Sequence, residues 1–346
     1  MIVSGFIYLW IPKIKLDGND VISYQFGVYD TIRILFSEGL CRMAVPTFFI
    51  ISGFLFFVGM EEWNMDTWIK KLKKRWKSLF IPYILWNVIA ICFSLLMLYL
   101  KFILKRGDAP DIVTWYHNIG GIRAFWDCAT GGMPINYPLW FIRDLMVFVV
   151  LAPIIFQYIK RMGIVGLSIL YLAYVLNYWI KFPGFSAEGL FFFAMGAYFS
   201  IHNIDFTAFF RNHVVISTII ALPFVIMMVL TYGDHDELWG YARRLFTLFG
   251  SASTIGIVAF LFERNLLKVK HLLSNSSFFV YAAHGTIVLP IIIFILGKIL
   301  PANRIFLIIK YFSAPAITIA ILVFCYYCLQ KWMPRTISVL TGGRAK

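Results

Sequence analysis

The chain has 346 residues, 61% of them hydrophobic and only 14% charged, with a mean hydropathy of +0.80 and a formal net charge of +14. A water-soluble domain carries roughly 25% charged residues, so this composition excludes one and places the protein in a bilayer. The positive charge is not a nucleic-acid footprint, because Lys and Arg collect at the ends of apolar runs, where membrane topology puts them.

A bilayer core of roughly 30 Å takes about 20 helical residues. Met1–Ile11 is apolar but too short to cross, and reads as part of a first helix that begins upstream. Nine further runs meet or approach the required length: Val45–Gly59, Leu79–Ile103, Leu139–Tyr158, Ile164–Ile180, Ala187–Ile201, Val214–Thr231, Leu245–Phe262, Ser277–Leu296 and Ile305–Leu329. The expectation is an all-α, polytopic bundle of about ten transmembrane helices, forming a single membrane domain over residues 1–346. With an even number of passes, the basic run 70–77 (KKLKKRWK) lies inside the cell, both termini are cytoplasmic, and the inner loops hold most of the excess positive charge.

Ionisable residues at membrane depth are expensive unless paired or wetted. Arg42 precedes the second span, Arg143 and Asp144 open the fourth, and Glu188 opens the sixth, so all four fall at similar depth on the outer side. Such a cluster either binds an acceptor, carries protons, or fixes the bundle through interhelical ion pairs. Ser277, Tyr281 and His284 share one helical face by their i, i+4, i+7 spacing. An imidazole there either exchanges protons near neutral pH or bonds a neighbouring helix. The cluster from Lys70 to Lys77 suits anionic headgroups, and equally the phosphates of a nucleotide-bearing donor.

The outer segment 104–138 carries Trp115, Tyr116, His117 and Trp126, which either stack on a sugar or anchor at the interface. Cys41 and Cys128 fall in outer loops and are a candidate pair, whereas Cys325 and Cys328 lie in an apolar run without a redox context. The stripe of Gly189, Gly196 and Ser200 and the run 250–256 (GSASTIG) are packing devices. Scattered histidines and cysteines offer no metal-ligand spacing.

Five segments then resemble the membrane acyltransferase 3 family, in that family's order and over roughly residues 40–290. RMAVPTFFIISGFLFF, from Arg42, matches at Pro46, Phe48, Phe49, Ser52 and Gly53. KKRWKSLFIPYILWN matches at Arg75, Pro82, Tyr83 and Trp86, and PLWFIRDL at Leu139, Trp140 and Phe141. FFFAMGAYFS and FVYAAHG resemble later signatures, the second supplying His284.

The resemblance implies ten helices in a bacterial plasma membrane and transfer of an acyl group, often acetyl, from acetyl-CoA. The donor is a substrate and not a tightly bound cofactor; the acceptor is a hydroxyl of an envelope glycan or glycolipid. On this reading His284 and Arg42 are the catalytic candidates, Arg75, Lys74 and Tyr83 contact the donor, and Arg143, Asp144, Glu188 and Trp140 face the acceptor. The sequence departs from the family at one place. An Arg and a His are expected in the first helix, yet no Arg precedes Arg33 and no His precedes His117. That departure keeps open a polysaccharide exporter, or a supporting membrane partner, built on the same fold.

Overall fold

The computed structural model describes residues 27–104, 109–128, 132–180, 182–232, 237–301 and 303–344, together with a two-residue antiparallel pairing of β1 (Lys15–Leu16) with β2 (Asn19–Asp20). The run Met1–Ile11 lies outside the described residues. Nearly everything else is helix. Among the described residues six helices are long and apolar enough to cross a membrane, and a seventh span follows if α9 (Phe206–Asn212) and α10 (Val214–Leu230), bent by 60° at His213, count as one. The protein is therefore a multi-pass helical bundle.

The second span is longer than its apolar core suggests. It begins at α1 (Val28–Arg33), passes through a π-helical turn at Ile34–Gly39 and a 3-10 turn at Leu40–Met43, and ends with α2 (Ala44–Phe57), 30 residues in all. Arg42 consequently lies within the helical run and not ahead of it. Next, α3 (Met65–Arg75) carries the basic cluster and continues through a π turn at Trp76–Phe80 into α4 (Ile81–Ile103). Asn64 caps α3, accepting from the Thr67 amide at 2.9 Å. Lys71 reaches back to the carbonyls of Phe56 and Val58 at the end of α2, where a cation complements the helix dipole.

A short helix, α5 (Ile112–Asn118), begins the long connection to α6 (Trp140–Val150). Then come α7 (Ala152–Val175), broken at Gly163, and α8 (Ala187–Ile201). The chain finishes with α11 (Glu237–Glu263), α12 (His271–Ala283), a π turn at His284–Val288, α13 (Leu289–Ile299), α14 (Arg304–Trp332) and a short α15 (Pro334–Leu340).

Small residues set the tightest crossing, that of α2 with α8. A Cβ on Gly53 would strike the Phe193 carbonyl, and one on Gly196 would strike the Ile50 carbonyl. Close backbone approach of this kind is how helices associate where lipid removes the hydrophobic drive. Around the crossing Phe49, Phe148 and Phe193 are fully buried, with successive ring centroids 5.6 Å apart. Such pairs contribute roughly 0.5–1.5 kcal/mol each beyond burial. In the run 250–256, Gly250 lies against Met43 and Gly256 against the Phe210 carbonyl, while Ser253 and Thr218 join α11 to α10 through hydroxyls 2.6 Å apart. No disulfide joins Cys41 to Cys128.

Candidate active site

The connection between α5 and α6 enters the bundle. Ala124, Asn136 and Leu139 have no exposed surface, and Cys128 and Asp127 are buried too. Irregular backbone at membrane depth persists only where protein groups satisfy its N–H and C=O bonds, and here they do. Tyr83 donates its hydroxyl to the Phe125 carbonyl. Arg143 donates through Nη1 to the carbonyls of Trp126 at 2.7 Å and Gly132 at 2.9 Å. Tyr281 donates to the Pro138 carbonyl, and the Trp126 indole to Pro183 at 2.9 Å.

Asn136 is the deepest brace. Its Nδ2 donates to Trp86 O at 3.3 Å and Ala282 O at 3.1 Å, its Oδ1 accepts from Thr286 at 2.7 Å, and its amide donates to Asn87 Oδ1 at 3.1 Å. Trp86 also donates its indole N–H to Leu340 O, at 3.0 Å, in the C-terminal tail. The connection leaves α4 at Ile103 and returns to it at Trp86, about 25 Å back along the axis at 1.5 Å per residue. It is a re-entrant loop.

This loop meets α12 at His284. A Cβ on Gly285 would strike the Tyr137 hydroxyl and ring, so the loop lies directly on the helix there. His284 is 2% exposed. Its Nδ1 is 3.1 Å from the Val280 carbonyl. A carbonyl only accepts, so the ring proton sits on Nδ1 and the basic lone pair on Nε2. The Tyr281 ring centroid is 6.2 Å away. A π turn begins at His284 itself, the kind of helix defect that often accompanies functional sites. Ser277 does not join this pair; its hydroxyl donates to Ser274 O at 2.7 Å nearer the start of α12.

The four ionisable residues expected together on the outer side separate into two groups. Arg143 and Asp144 pair with each other, Nη2 to Oδ1 at 3.0 Å, and both are buried. Neighbouring Cα positions diverge by about 100°, but the long guanidinium reaches back across that angle. Asp144 also accepts from the Ser186 hydroxyl at 2.8 Å. With Trp140, these three line a cleft of about 300 Å³ beside Met133 and Pro183. Glu188 and Arg42 lie elsewhere, both within electrostatic reach of Tyr174, together with Arg243. Of the expected donor contacts, Lys74 is exposed and Arg75 half-buried. The Tyr83 hydroxyl is engaged by the loop two turns further on, not directed toward Arg75.

Sequence reasoning missed Asn136, Asn87, Tyr137 and Thr286. The GGMPINYP stretch reads as turns, and nothing local indicates that a turn is carried into the bundle.

A buried imidazole, an ion-paired cleft and a re-entrant loop between them form a candidate site with the groups that acid–base chemistry needs. A family model described as an acyltransferase domain matches residues 15–329, and the chain belongs to that acyltransferase family. It is similar to the succinoglycan biosynthesis protein ExoH of Rhizobium meliloti (strain 1021), with 27% identity over 353 residues, covering 99% of this chain and 90% of that protein. No solved structure matches the chain.

Proposed function

We propose that the protein transfers an acetyl group from cytoplasmic acetyl-CoA to a hydroxyl of a cell-surface polysaccharide or glycolipid. The whole chain acts as one unit in a bacterial plasma membrane, with both termini in the cytoplasm. His284 carries this reading, because it is a buried base whose Nδ1 proton is committed to Val280 and whose Nε2 is set to take a proton. In the reaction His284 removes the acceptor hydroxyl's proton as its oxygen attacks the thioester carbonyl. The tetrahedral intermediate collapses by breaking the carbon–sulfur bond, and the imidazolium returns its proton to the departing thiolate.

A cation steadies the oxyanion, the role that the resemblance gives to Arg42. Arg75 and Lys74 hold donor phosphates, and Tyr83 keeps the loop in place between them and His284. The cleft of Trp140, Arg143 and Asp144 receives the acceptor, and Glu188 keeps Arg42 in register. The similarity to a succinoglycan biosynthesis protein supports a polysaccharide acceptor. The second reading is a polysaccharide export component built on the same fold without acyl transfer.

Membranes containing the full-length protein, supplied with labelled acetyl-CoA, separate the two readings. Transfer of label to envelope glycan is expected, with His284→Ala and Arg42→Ala each lowering it by about 100-fold or more. Absence of label from a correctly inserted wild-type chain overturns the enzyme reading and favours export.

A further inference from the structure

The C-terminal tail is built into the protein at a defined place. Ile337 on α15 is 1% exposed, Thr341 has no exposed surface, and Leu340 O accepts from Trp86. The chain then turns at Gly342 and Gly343, with φ of +65° and +80°. A Cβ on Gly342 would strike the backbone of Ser78, so the tail lies directly on the π turn that joins α3 to α4.

That turn delivers Arg344. Its guanidinium lies 4.4 Å from the Phe278 ring centroid on α12, and its Nη1 donates to Thr341 O at 2.9 Å. Arg75, three residues before Ser78, is close enough for its charge to act on Arg344; burial first, and that repulsion second, push Arg344 down to about 10. Among the described residues no carboxylate lies within 4.0 Å of either guanidinium, and the ion pairs Asp30–Arg33, Asp127–Arg123, Asp144–Arg143 and Glu263–Arg211 are formed elsewhere.

Two guanidiniums near enough for their charges to interact, partly withdrawn from water and with no carboxylate within 4.0 Å among the described residues, match a multiply charged anion. Each presents a planar fork that suits phosphate oxygens. Phe278 lies six residues before His284 on the same helix, about 9 Å along its axis. An anion held at Arg344 is thus separated from the base by a gap that an extended donor arm would bridge.

We propose that Arg344, carried by the C-terminal turn, completes with Arg75 a phosphate-binding site for the acyl donor, so that the tail sets donor affinity. The assignment to the donor rests on the acetyl-CoA reading above; the site itself does not.

Full-length protein in phosphatidylcholine nanodiscs is titrated with coenzyme A, 3′-dephospho-coenzyme A and inorganic pyrophosphate. Arg344→Gln is expected to weaken coenzyme A binding about tenfold or more, and to raise the KM for acetyl-CoA with kcat little changed. Arg344→Lys retains more of the affinity, and Phe278→Leu, which leaves the charge in place, produces a smaller loss than Arg344→Gln. A thermal melt of Arg344→Gln matching wild type shows that the tail still docks. Coenzyme A binding that is unaltered in Arg344→Gln overturns the site while leaving the donor reading intact. Arg344-dependent binding of pyrophosphate without any binding of coenzyme A keeps the site and overturns its assignment to the donor. Added phosphatidylglycerol that competes with coenzyme A in wild type but not in Arg344→Gln assigns the site to lipid headgroups and overturns the proposal.

Discussion

Asn136 shows how one side chain holds irregular backbone inside a bundle. Its amide group makes three hydrogen bonds, two as donor to the Trp86 and Ala282 carbonyls and one as acceptor from Thr286. Side-chain hydrogen bonds between membrane helices average about 0.6 kcal/mol, so Asn136→Ala is expected to cost about 2 kcal/mol. Asn136→Asp changes less volume but sets a carboxylate oxygen against two carbonyls that need a donor, and is expected to cost more than the alanine. Denaturation of the detergent-solubilised variants, followed by far-UV CD, checks the order. A milder effect for Asp than for Ala would contradict the brace. The same reasoning separates Arg143 from His284. The hydrogen bonds of Arg143 hold the loop and its neighbour Asp144, so Arg143→Ala is expected to lower stability and activity together. His284→Ala should remove activity and leave the fold.

At the scale of elements, the glycine crossings differ in what they would meet. Gly53 and Gly196 face carbonyl oxygens of the opposing backbone, which cannot yield without separating α2 from α8. Gly250 faces the thioether end of Met43, a flexible chain that repacks readily. Gly53→Ala and Gly196→Ala are therefore each expected to cost about 1–3 kcal/mol as overpacking, and Gly250→Ala less than either. Thermal inactivation of the three variants in one membrane preparation tests the ranking. Of the three π turns among the described residues, Trp76–Phe80 and His284–Val288 fall where the candidate donor and proton-transfer sites are. The third lies in the 30-residue span at Ile34–Gly39, near buried Arg33 and Glu38. At Ile34–Gly39 and His284–Val288 the wide turn breaks the regular helical ladder where Ser37, Glu38 and His284 are buried, whereas at Trp76–Phe80 only Leu79 is.

For the whole molecule, the bundle ties the re-entrant loop and the C-terminal tail into one network. Trp86 binds the C-terminal tail through its indole and the re-entrant loop through its carbonyl, so α4 joins the loop that lines the Arg143 cleft to the tail that carries Arg344. If Lys70–Lys77 and the tail face the cytoplasm, single cysteines at Lys74 and Ser338 should be labelled by an impermeant maleimide only after the membrane is opened, whereas one at Tyr116 should react in intact cells. Labelling of Lys74→Cys in intact cells would reverse the orientation and remove cytoplasmic acetyl-CoA as the donor.

The class of protein, the helical character of all nine apolar runs after residue 44 and the basic cluster at Lys70–Lys77 were legible in the sequence, because the bilayer requires long apolar runs and charge at their ends. His284 also stands out in the sequence as an ionisable residue deep in an apolar run, and the bundle buries it. The partners of these residues were not legible. Asn136 meets Thr286 and Ala282, and Arg344 meets Phe278 and approaches Arg75, across separations that no local pattern encodes. Nor does the composition of a Gly- and Pro-rich stretch tell whether it stays in water or is drawn into the bundle. That outcome depends on whether the packed helices offer enough donors and acceptors to replace water along its backbone, and only the tertiary structure brings Tyr83, Asn87, Arg143 and Tyr281 to one place to do so.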